Sequence, residues 1–451
     1  MYRVGIIGTG YVGLVTGLCF AETGNEVICV DVDAAKIERL RSGEIPFYEP
    51  GLQALLSRNL QKQRVSFTTE LSEAAANCDV LMLCLPTPSQ EDGSADVRRV
   101  FAVARELIEY YRQFPPEGRR LLVTKSTVPP GTTRQLAELF HRELPTVQIT
   151  VASNPEFLSQ GSAVENFMKP ERVIIGTRDP WAATVLRTLY EPFVRTGNPI
   201  YVMDETSAEV VKYASNAFLA MRVSFMNELS AYCEAIGADI EQVRLGMGAD
   251  SRIGKRYLFA GLGYGGSCLP KDIRALVQSA RSVEVPLELI PAVARVNERQ
   301  LRRFVEKIRR RFGSIDGRVL ALWGVAFKPN TDDIREAPAL YVIDALLQDG
   351  GQIRVYDPQA LDNLRRLYGE RLTYTSSAYE CAEGADALII ATEWAEFRNP
   401  DFHHLRRCLR QAIIFDGRNL FSPPEMLRLG FEYHSIGRPS VYPLGSPQDV
   451  R

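Results

Sequence analysis

The sequence predicts an α/β protein in which two doubly wound parallel sheets are joined by a helical segment containing one long helix. The first observation is a strand, a glycine-rich turn, a helix and a second strand within residues 3–31. The second is an almost uninterrupted helical run from Asp204 to Ile236. The third is a return to alternating strands and helices from Val319 onward, and such alternation favours parallel sheets.

The elements follow from short apolar runs bounded by turn residues. In the first half these runs predict strands at 3–8, 27–30, 80–85, 121–125, 149–153 and 173–176, with helices between them such as 14–22 and 97–111. The long helix is expected to open with a capping box formed by Thr206 and Glu209. Later strands are expected at 319–322, 353–356, 387–391 and 413–415. We therefore expect three domains, at 1–198, 199–310 and 311–451.

The two α/β halves share a local pattern. A strand from Arg3 leads through a helix to a strand ending at Asp31, and a strand from Arg318 leads through a helix to one ending at Asp357. Two nucleotide-binding-type domains are the simplest explanation. Any two parallel βαβ units look alike, however, so the repeat by itself predicts no second nucleotide site.

Composition excludes several function classes. The 451 residues carry 53 Lys and Arg against 55 Asp and Glu, a net charge of -2 that offers no basic field for nucleic acid. No apolar run approaches the roughly 18 residues of a membrane span, and the core-like run 4–7 follows Met1 almost directly, so we expect a soluble cytoplasmic protein without a signal peptide. The eight cysteines form no CxxC pair and the four histidines have no metal-site spacing, which predicts reduced thiols and no metal.

The turn after the first strand carries Gly8, Gly10 and Gly13 in a GxGxxG pattern, directly before a helix. Gly8 permits the tight turn, Gly10 allows a pyrophosphate to approach the backbone, and Gly13 lets helix and strand meet. Asp31 ends the next strand, where its carboxylate can bind a ribose hydroxyl and repel a 2′-phosphate. The pattern predicts a Rossmann-like domain that binds NAD. Lys36 could approach the adenosine end or be an ordinary solvated lysine.

The segment from Gly261 to Asp272, GLGYGGSCLPKD, contains one cysteine, Cys268, just before Pro270. Proline suits the first turn of a helix, and a helix N-terminus together with Lys271 would lower the pKa of the thiol. We expect Cys268 to be a nucleophile and the other seven cysteines to be inert packing residues.

Two further features carry polar groups. Lys212 and Asn216 are spaced i,i+4 on the long helix and share one face, where they could stabilise an oxyanion. Alternatively the lysine reaches solvent and the amide is satisfied internally. Glu156, in the segment Asn154-Pro155-Glu156-Phe157-Leu158, follows a predicted strand and would lie at the carboxyl edge of the sheet.

These motifs, together with Lys125-Ser126-Thr127-Val128-Pro129, resemble the UDP-glucose/GDP-mannose dehydrogenase family, in the same order from residue 1 to about 440. The resemblance implies a four-electron oxidation of a sugar C6 alcohol to a carboxylate with two NAD in turn, as needed for polysaccharide biosynthesis. Cys268 would form a thiohemiacetal and then a thioester. Lys212 and Asn216 would stabilise the oxyanion, Asp272 with Thr127 would orient or activate water, and Glu156 would assist hydrolysis. A role for Lys212 as the first base is left open.

The resemblance also implies binding residues. Those for NAD are Gly8, Gly10, Tyr11, Val12, Gly13, Asp31, Lys36, Thr87, Thr127, Lys271 and Arg335. Those for the sugar nucleotide are Glu156, Phe157, Leu158, Ser159, Lys212, Asn216, Arg252, Tyr257, Leu258, Phe259, Ala260, Gly261, Gly265, Lys328 and Arg418. Arg252 would reach the sugar site of a neighbouring subunit, which implies a homodimer or larger homo-oligomer built on the long helix. Gln160 stands where many members of the family have Glu. An amide cannot act as a base, so Gln160 is not included among the catalytic residues.

The segments Arg252-Ile253-Gly254 and Gly263 to Cys268 are more similar to the UDP-glucose branch than to the GDP-mannose branch. GDP-mannose and UDP-N-acetylmannosamine remain alternative substrates for the same chemistry. A β-hydroxyacid dehydrogenase would need neither the Cys268 loop nor a third domain. A nucleotide-sensing regulator without turnover would be expected to lack Cys268, Lys212 and Asp272.

Overall fold

The computed structural model describes residues 2–195 and 197–444. They form two compact units, the first comprising 1–215 and 274–286 and the second 216–273 and 287–451. Residue 1 of the first predicted domain and residues 445–451 of the third lie outside the described residues. The three-domain division stays a prediction.

The first unit contains an eight-stranded sheet with helices along the chain between its strands. Its strands are β1 Arg3–Ile7, β2 Glu26–Val30, β3 Val65–Thr68, β4 Val80–Leu83, β5 Arg120–Thr124, β6 Ile149–Ser153, β7 Val173–Gly176 and β8 Ile200–Met203. Its helices are α1 Tyr11–Glu22, α2 Ala34–Arg41, α3 Leu52–Gln61, α4 Leu71–Asn77, α5 Arg98–Gln113, α6 Thr132–Glu143, α7 Ala163–Met168 and α8 Pro180–Tyr190. A 3₁₀ turn spans Glu191–Phe193.

The strand order is β3-β2-β1-β4-β5-β6-β7-β8. Successive residues of β4 point into different core clusters, Val80 and Met82 into one and Leu81 and Leu83 into the other. Both faces are therefore covered, which explains why these strands are continuous apolar runs in the sequence. The sheet is not wholly parallel as predicted, because β6 and β7 pair antiparallel at Ser153 and Gly176.

Two strands of this sheet had no clear sequence signal. The strand β3 alternates buried and exposed residues over only four positions, and β8 lies at the sheet edge with Tyr201 and Val202 exposed. Edge and half-exposed strands lack the apolar run on which the prediction depended. The strand β8 also lies just beyond the predicted boundary at residue 198.

Four longer helices follow: α9 Glu205–Ile236, α10 Ile240–Gly248, α11 Leu269–Arg281 and α12 Leu289–Phe312. The predicted capping box at the start of α9 is wrong. Asp204 caps the helix, accepting hydrogen bonds from the Ser207 backbone N–H at 2.9 Å and hydroxyl at 2.6 Å. Glu209 instead accepts hydrogen bonds from the backbone N–H groups of Gly131 and Thr133, so its carboxylate anchors the start of α6.

The second unit contains a six-stranded parallel sheet in the order β11-β10-β9-β12-β13-β14 over one continuous core. Its strands are β9 Val319–Trp323, β10 Gln352–Tyr356, β11 Thr373–Tyr374, β12 Ala387–Ile390, β13 Ile413–Asp416 and β14 Glu432–His434. Its remaining helices are α13 Pro338–Gln348, α14 Leu361–Tyr368, α15 Ala378–Ala382, α16 Phe402–Cys408 and α17 Pro423–Arg428, with 3₁₀ turns at Gly369–Arg371 and Ala395–Phe397. This order equals that of the first six strands of the other sheet and is the Rossmann order, so two Rossmann-like sheets are confirmed.

Within the described ranges no helix combines the length and apolar character needed to cross a membrane. The same ranges contain no group of three or more His, Cys, Asp or Glu side chains arranged to hold a metal ion.

Candidate active site

The glycine turn after β1 has the geometry that a bound pyrophosphate needs. Gly8 has φ +100°, and a Cβ there would lie 2.6 Å from the Cys84 carbonyl oxygen. A Cβ on Gly13 would lie 1.8 Å from the Gly8 carbonyl oxygen, whereas one on Gly10 would meet nothing within 4 Å. The two outer glycines therefore close the turn, and Gly10 leaves open space at the N-terminus of α1, where an anion is favoured. These residues fit NAD.

Asp31 is held at the carboxyl end of β2. One carboxylate oxygen accepts hydrogen bonds from the Thr9 N–H at 2.9 Å, the Thr9 hydroxyl at 2.8 Å and the Lys36 ammonium at 2.8 Å. Partial burial opposes ionisation, but the hydrogen bonds from Lys36 and Thr9 outweigh it and lower the pKa of Asp31. The carboxylate is thus charged and fixed beside the turn, as ribose recognition requires. Lys36 pairs with it rather than being merely solvated, and Thr9 is a contributor that sequence reasoning missed.

Two threonines follow neighbouring strands, β4 and β5, and β4 pairs with β1 at the point where the strand order reverses. Thr87 follows β4 and is buried, and its hydroxyl donates to the Thr127 carbonyl oxygen after β5 at 2.8 Å. Tyr11 and Val12 open α1 and are half-buried. Ligands of such sheets bind in this crevice, so the predicted NAD residues of the first unit occupy the expected edge.

Cys268 differs from every other cysteine of the chain. All eight lie in the described ranges, and Cys268 alone is exposed. Burial raises the pKa of Cys84 and Cys381 to about 12 and that of Cys408 to about 11, which makes these thiols poor nucleophiles. The seven buried residues therefore fit the predicted packing role.

The surroundings of Cys268 favour a thiolate. It immediately precedes α11, and its carbonyl oxygen accepts the Asp272 N–H at 2.8 Å. The pKa of Arg335 is raised, first by its hydrogen bonds to Asp333 and also by the charge of Cys268, so the guanidinium lies within electrostatic reach of the sulfur. A cation and a helix N-terminus both stabilise a thiolate.

Asn216 and Asp272 form a buried pair in the second unit. The amide Nδ2 donates to Asp272 Oδ2 at 2.6 Å, and Lys271 Nζ donates to Oδ1 at 2.6 Å. Asp272 is 1% exposed. Asp272 lies in the first turn of α11, four residues after Cys268, which immediately precedes that helix.

Lys212 and Glu156 form a buried pair in the first unit. Their Nζ and Oε1 atoms are 3.1 Å apart, with the side chains 4% and 7% exposed. Glu156 Oε2 also accepts the Leu158 N–H at 2.6 Å. Lys212 does not reach solvent and donates to Glu156, so that part of the alternative is wrong, whereas the Asn216 amide is satisfied internally by Asp272 as the alternative expected. Thr127 belongs to the first unit and Asp272 to the second, and their joint action on water stays a prediction.

The predicted sugar-nucleotide residues of the second unit fall into two groups. Leu258 and Ala260 are buried, whereas Tyr257 and Phe259 are 39% and 58% exposed. Arg252 is exposed and paired with Asp250. The segment therefore has both buried and exposed side chains, and the centroid of the Phe259 ring lies 4.7 Å from the Arg244 guanidinium carbon.

The glycine-rich segment 261–268, called the glycine loop below, is anchored by two side-chain amides that the sequence analysis did not identify. The Gly261 N–H donates to Asn227 Oδ1 at 2.8 Å, and Gln300 Nε2 donates to the Gly261 carbonyl at 2.8 Å. A Cβ on Gly265 would lie 2.2 Å from the Glu336 carbonyl oxygen. Asn227 and Gln300 could have been identified as polar amides on otherwise apolar helix faces. A buried amide needs a hydrogen-bond partner, so such a residue indicates a contact with another segment.

Arg418 lies where the loop after β13 meets the glycine loop. Its Nε donates to the Ala391 carbonyl oxygen at 2.7 Å and lies 3.3 Å from a Glu393 carboxylate oxygen. Lys328 is half-buried in the segment after β9. Both cations are at the carboxyl edge of the second sheet, which is the edge that binds ligands in this fold.

Comparison with known proteins agrees with this geometry. The NAD-binding domain of the UDP-glucose/GDP-mannose dehydrogenase family matches residues 2–194, its central domain 206–299, and its UDP-binding domain 321–423. The chain is 47% identical over 447 residues to a UDP-glucose 6-dehydrogenase of Pseudomonas aeruginosa, covering 97% of this chain and 98% of that protein.

Two further relatives extend the likeness. UDP-glucose 6-dehydrogenase TuaD of Bacillus subtilis is 43% identical over 442 residues, covering 98% of this chain and 94% of its own. The structure of a UDP-glucose dehydrogenase from Pyrobaculum islandicum superposes with a TM-score of 0.89 at 39% identity, covering 96% of this chain and 97% of that one. The chain belongs to the UDP-glucose/GDP-mannose dehydrogenase family.

Proposed function

We propose that this protein is a cytoplasmic UDP-glucose 6-dehydrogenase that oxidises the C6 alcohol of UDP-glucose to the carboxylate of UDP-glucuronate. The observation that carries the proposal is the single exposed thiol, Cys268, one turn before the buried Asp272 on α11. A dehydrogenase that stopped at the aldehyde would need no such nucleophile. The full-length relatives named for UDP-glucose favour this sugar nucleotide over GDP-mannose and UDP-N-acetylmannosamine.

The chain's own residues account for the stages that follow the first oxidation, in which the C6 alcohol loses a hydride and a proton to become the aldehyde. Two NAD, bound in turn, would each accept one hydride, the first from the C6 alcohol and the second from the thiohemiacetal. Cys268 Sγ adds to the aldehyde carbon to give a thiohemiacetal, and loss of hydride from that carbon gives a thioester. Water then attacks the thioester carbonyl, releasing the carboxylate product and the thiolate.

Two buried pairs support these steps. Lys212 Nζ donates a hydrogen bond to the oxyanion that develops at C6, and Glu156, 3.1 Å from it, holds it in position. In the second unit, Asn216 Nδ2 orients Asp272 through their 2.6 Å hydrogen bond, and Asp272 takes a proton from the hydrolytic water. In the structure Lys212 Nζ donates to Glu156, and this donor geometry supports the oxyanion role over that of a first base.

Most of the proposed NAD-binding residues belong to the first unit, although Lys271 and Arg335 belong to the second, and the proposed substrate residues belong to both. Gly8, Gly10, Asp31 and Thr87 of the first unit hold NAD, whereas Lys328 and Arg418 of the second hold the sugar nucleotide. Positive groups at the carboxyl edge of the second sheet suit a diphosphate.

The first test is NADH yield per limiting sugar nucleotide with excess NAD. We expect two NADH per UDP-glucose and slow or no turnover of GDP-mannose and UDP-N-acetylmannosamine. Asp272→Asn should retain UDP-glucose binding but lose complete oxidation, with Asp362→Asn, at an exposed position of α14, as the control. One NADH per UDP-glucose would contradict the thioester route, and preferred turnover of another sugar nucleotide would contradict the substrate.

We further propose that the protein is a homodimer or larger homo-oligomer assembled through α9. Phe218, Phe225 and Tyr232 are 54%, 48% and 63% exposed. Their seven-residue spacing places them along one helix face, and an aromatic stripe of this kind is expected to be covered by another protein surface. Arg252 would then reach the sugar site of the second copy.

The assembly is tested by sedimentation. Phe225→Glu should shift the protein towards monomer and reduce activity, because a charge cannot be buried unpaired in an interface. Tyr201→Glu changes an equally exposed aromatic residue on β8 and should leave the assembly intact. A fully active monomer would contradict the role of Arg252.

A further inference from the structure

The segment that joins β6 to α7, residues 154–162, has no regular secondary structure. It contains Glu156, Phe157, Leu158 and Ser159, which are proposed to contact the substrate. Its first residue is tied to the sheet, since the Asn154 N–H donates to the Thr124 carbonyl oxygen at 2.9 Å. Such a connecting segment holds reacting groups in register only if its other end is fixed as well.

Glu49, more than a hundred residues earlier in the chain, fixes that other end. One carboxylate oxygen accepts the Gly161 N–H at 2.7 Å and the other accepts the Ala163 N–H at 2.8 Å. The residue is only 5% exposed. Burying a carboxylate is costly, so hydrogen bonds to backbone N–H groups on both oxygens make Glu49 a specific anchor and not an incidental contact.

The segment around Glu49 also contacts the start of the cofactor-binding helix. The ring centroids of Phe47 and Tyr11 are 6.3 Å apart in an edge-to-face arrangement, and Tyr11 is the first residue of α1. A Cβ on Gly51 would lie 3.9 Å from a Val164 methyl carbon, so this segment also packs against α7. Residues 47–51 therefore connect the glycine turn with the end of the 154–162 segment.

The position of Glu156 and Phe157, in the middle of the 154–162 segment, depends on how the two ends of the segment are held. The Arg172 guanidinium carbon lies 3.7 Å from the Phe157 ring centroid on one side, and Lys212 Nζ lies 5.5 Å from it. Glu156 must stay within reach of Lys212 for the buried pair to persist. Release of the Gly161 end would let this middle part move away from both cations.

We propose that Glu49 is a positioning residue for the oxidation: it fixes residues 156–160 relative to the cofactor-binding turn through its hydrogen bonds to Gly161 and Ala163. This inference rests on the proposed substrate contacts of residues 156–159. Glu49 itself takes no proton and touches no reacting atom.

The test compares Glu49→Ala and Glu49→Gln with a matched control. Glutamine keeps one acceptor oxygen but turns an NH₂ group towards the second backbone N–H, so it should be intermediate. Glu44→Gln removes the same charge from an exposed residue that pairs with Arg39 in the same part of the chain. The measurements are kcat and KM for UDP-glucose, the Kd of NADH by fluorescence, and amide hydrogen exchange of residues 156–163.

We expect Glu49→Ala to lower kcat/KM for UDP-glucose by at least about tenfold, because small displacements of positioned groups are costly for catalysis. The Kd of NADH should change less than about twofold, since the glycine turn is retained. Exchange of the Gly161 and Ala163 amides should accelerate, Glu49→Gln should recover part of kcat/KM, and Glu44→Gln should match the parent protein.

Faster exchange with unchanged kcat/KM in Glu49→Gln would mean that the anchor is only structural and would overturn the proposal. That variant keeps one hydrogen bond and so remains informative if Glu49→Ala does not fold. Glu156→Gln is measured in parallel. Impaired Glu156→Gln with unimpaired Glu49 variants overturns this inference alone, whereas unimpaired Glu156→Gln overturns the proposed substrate contacts on which it depends.

Discussion

The turns after β1 and after β9 occupy the same place in two sheets of the same strand order, yet they serve different purposes. In each, a glycine with positive φ, Gly8 or Gly324, donates its N–H at 2.8 Å to the last residue of the neighbouring strand. In each, an aspartate after that strand, Asp31 or Asp357, accepts the N–H of the next residue of the turn. The shared geometry is a property of the βαβ unit and not of a ligand.

The two turns differ in the hydrogen bonds that the aspartate carboxylate already accepts within the protein. Asp357 is 2% exposed and also accepts hydrogen bonds from the Trp394 indole at 3.0 Å and from the Gln359 and Ala360 N–H groups. The helix after Gly324 does not begin until Pro338, whereas α1 begins at Tyr11. The second turn thus lacks both a ribose acceptor and an adjacent helix N-terminus, and the sequence repeat alone could not distinguish the two.

The largest expected effect is that of Cys268→Ser, which should impair the oxidation of the sugar nucleotide but not the binding of NADH. Cys268→Ser should lower complete oxidation by at least about 10³-fold, because a hydroxyl near neutral pH is a far weaker nucleophile than a thiolate. The Kd of NADH should stay unchanged, since the glycine turn is in the other unit. Steady-state NADH formation and fluorescence titration measure the two quantities, and Cys408→Ser is the control. Unchanged turnover would remove the covalent route.

The next effect tests the first aspartate. Asp31→Asn should weaken NAD binding by about tenfold and reduce discrimination against NADP by about 10- to 100-fold, as expected when a hydrogen bond to a charged group and a repulsive charge are lost. Lys36, then without its carboxylate partner, would attract a 2′-phosphate. The Kd values of NADH and NADPH decide the matter, and an unaltered ratio would place ribose recognition elsewhere.

The matched change in the second unit should act on stability instead. Asp357→Asn removes one acceptor oxygen from a buried network and should lower the free energy of unfolding by about 2 kcal/mol. The affinity for NADH should not change. Denaturant unfolding followed by cofactor titration measures both. A weakened affinity for NADH with unchanged stability would mean that the two aspartates are equivalent after all.

The smallest effect is a pH dependence specific to the first unit. The folded pKa of Asp31 is lowered, despite its partial burial, by hydrogen bonds from Lys36 and Thr9. Its contribution to stability should therefore be fully present above the unfolded pKa of about 3.9 and be lost as the pH falls through the lower folded value. The unfolding free-energy difference between the parent and Asp31→Asn, measured from pH 5 to pH 2.5 without NAD, should shrink towards acid. A constant difference would contradict the charged pair.

The sequence was most informative where a residue type has few structural uses. Glycines with fixed spacing after an apolar strand predicted the turn at Gly8, and the single cysteine among glycines predicted the exposed thiol at Cys268. It was less informative for β8 and for the start of α9, where an exposed edge strand and a cap at Asp204 gave no distinct pattern. The capping box failed because Glu209 bonds to α6, a contact distant in sequence.

The chain's composition and motifs determined by themselves the α/β class, the NAD-type turn and the family resemblance, because each depends on local conformation or on residue identity. Only the tertiary structure decided which polar and charged side chains pair with one another. Lys212 joins Glu156 while Asn216 joins Asp272, Asp357 is enclosed by Trp394, and Glu49 reaches Gly161. These pairings join residues that lie far apart along the chain, and they are set by strand order and burial, which require each buried polar group to find a partner.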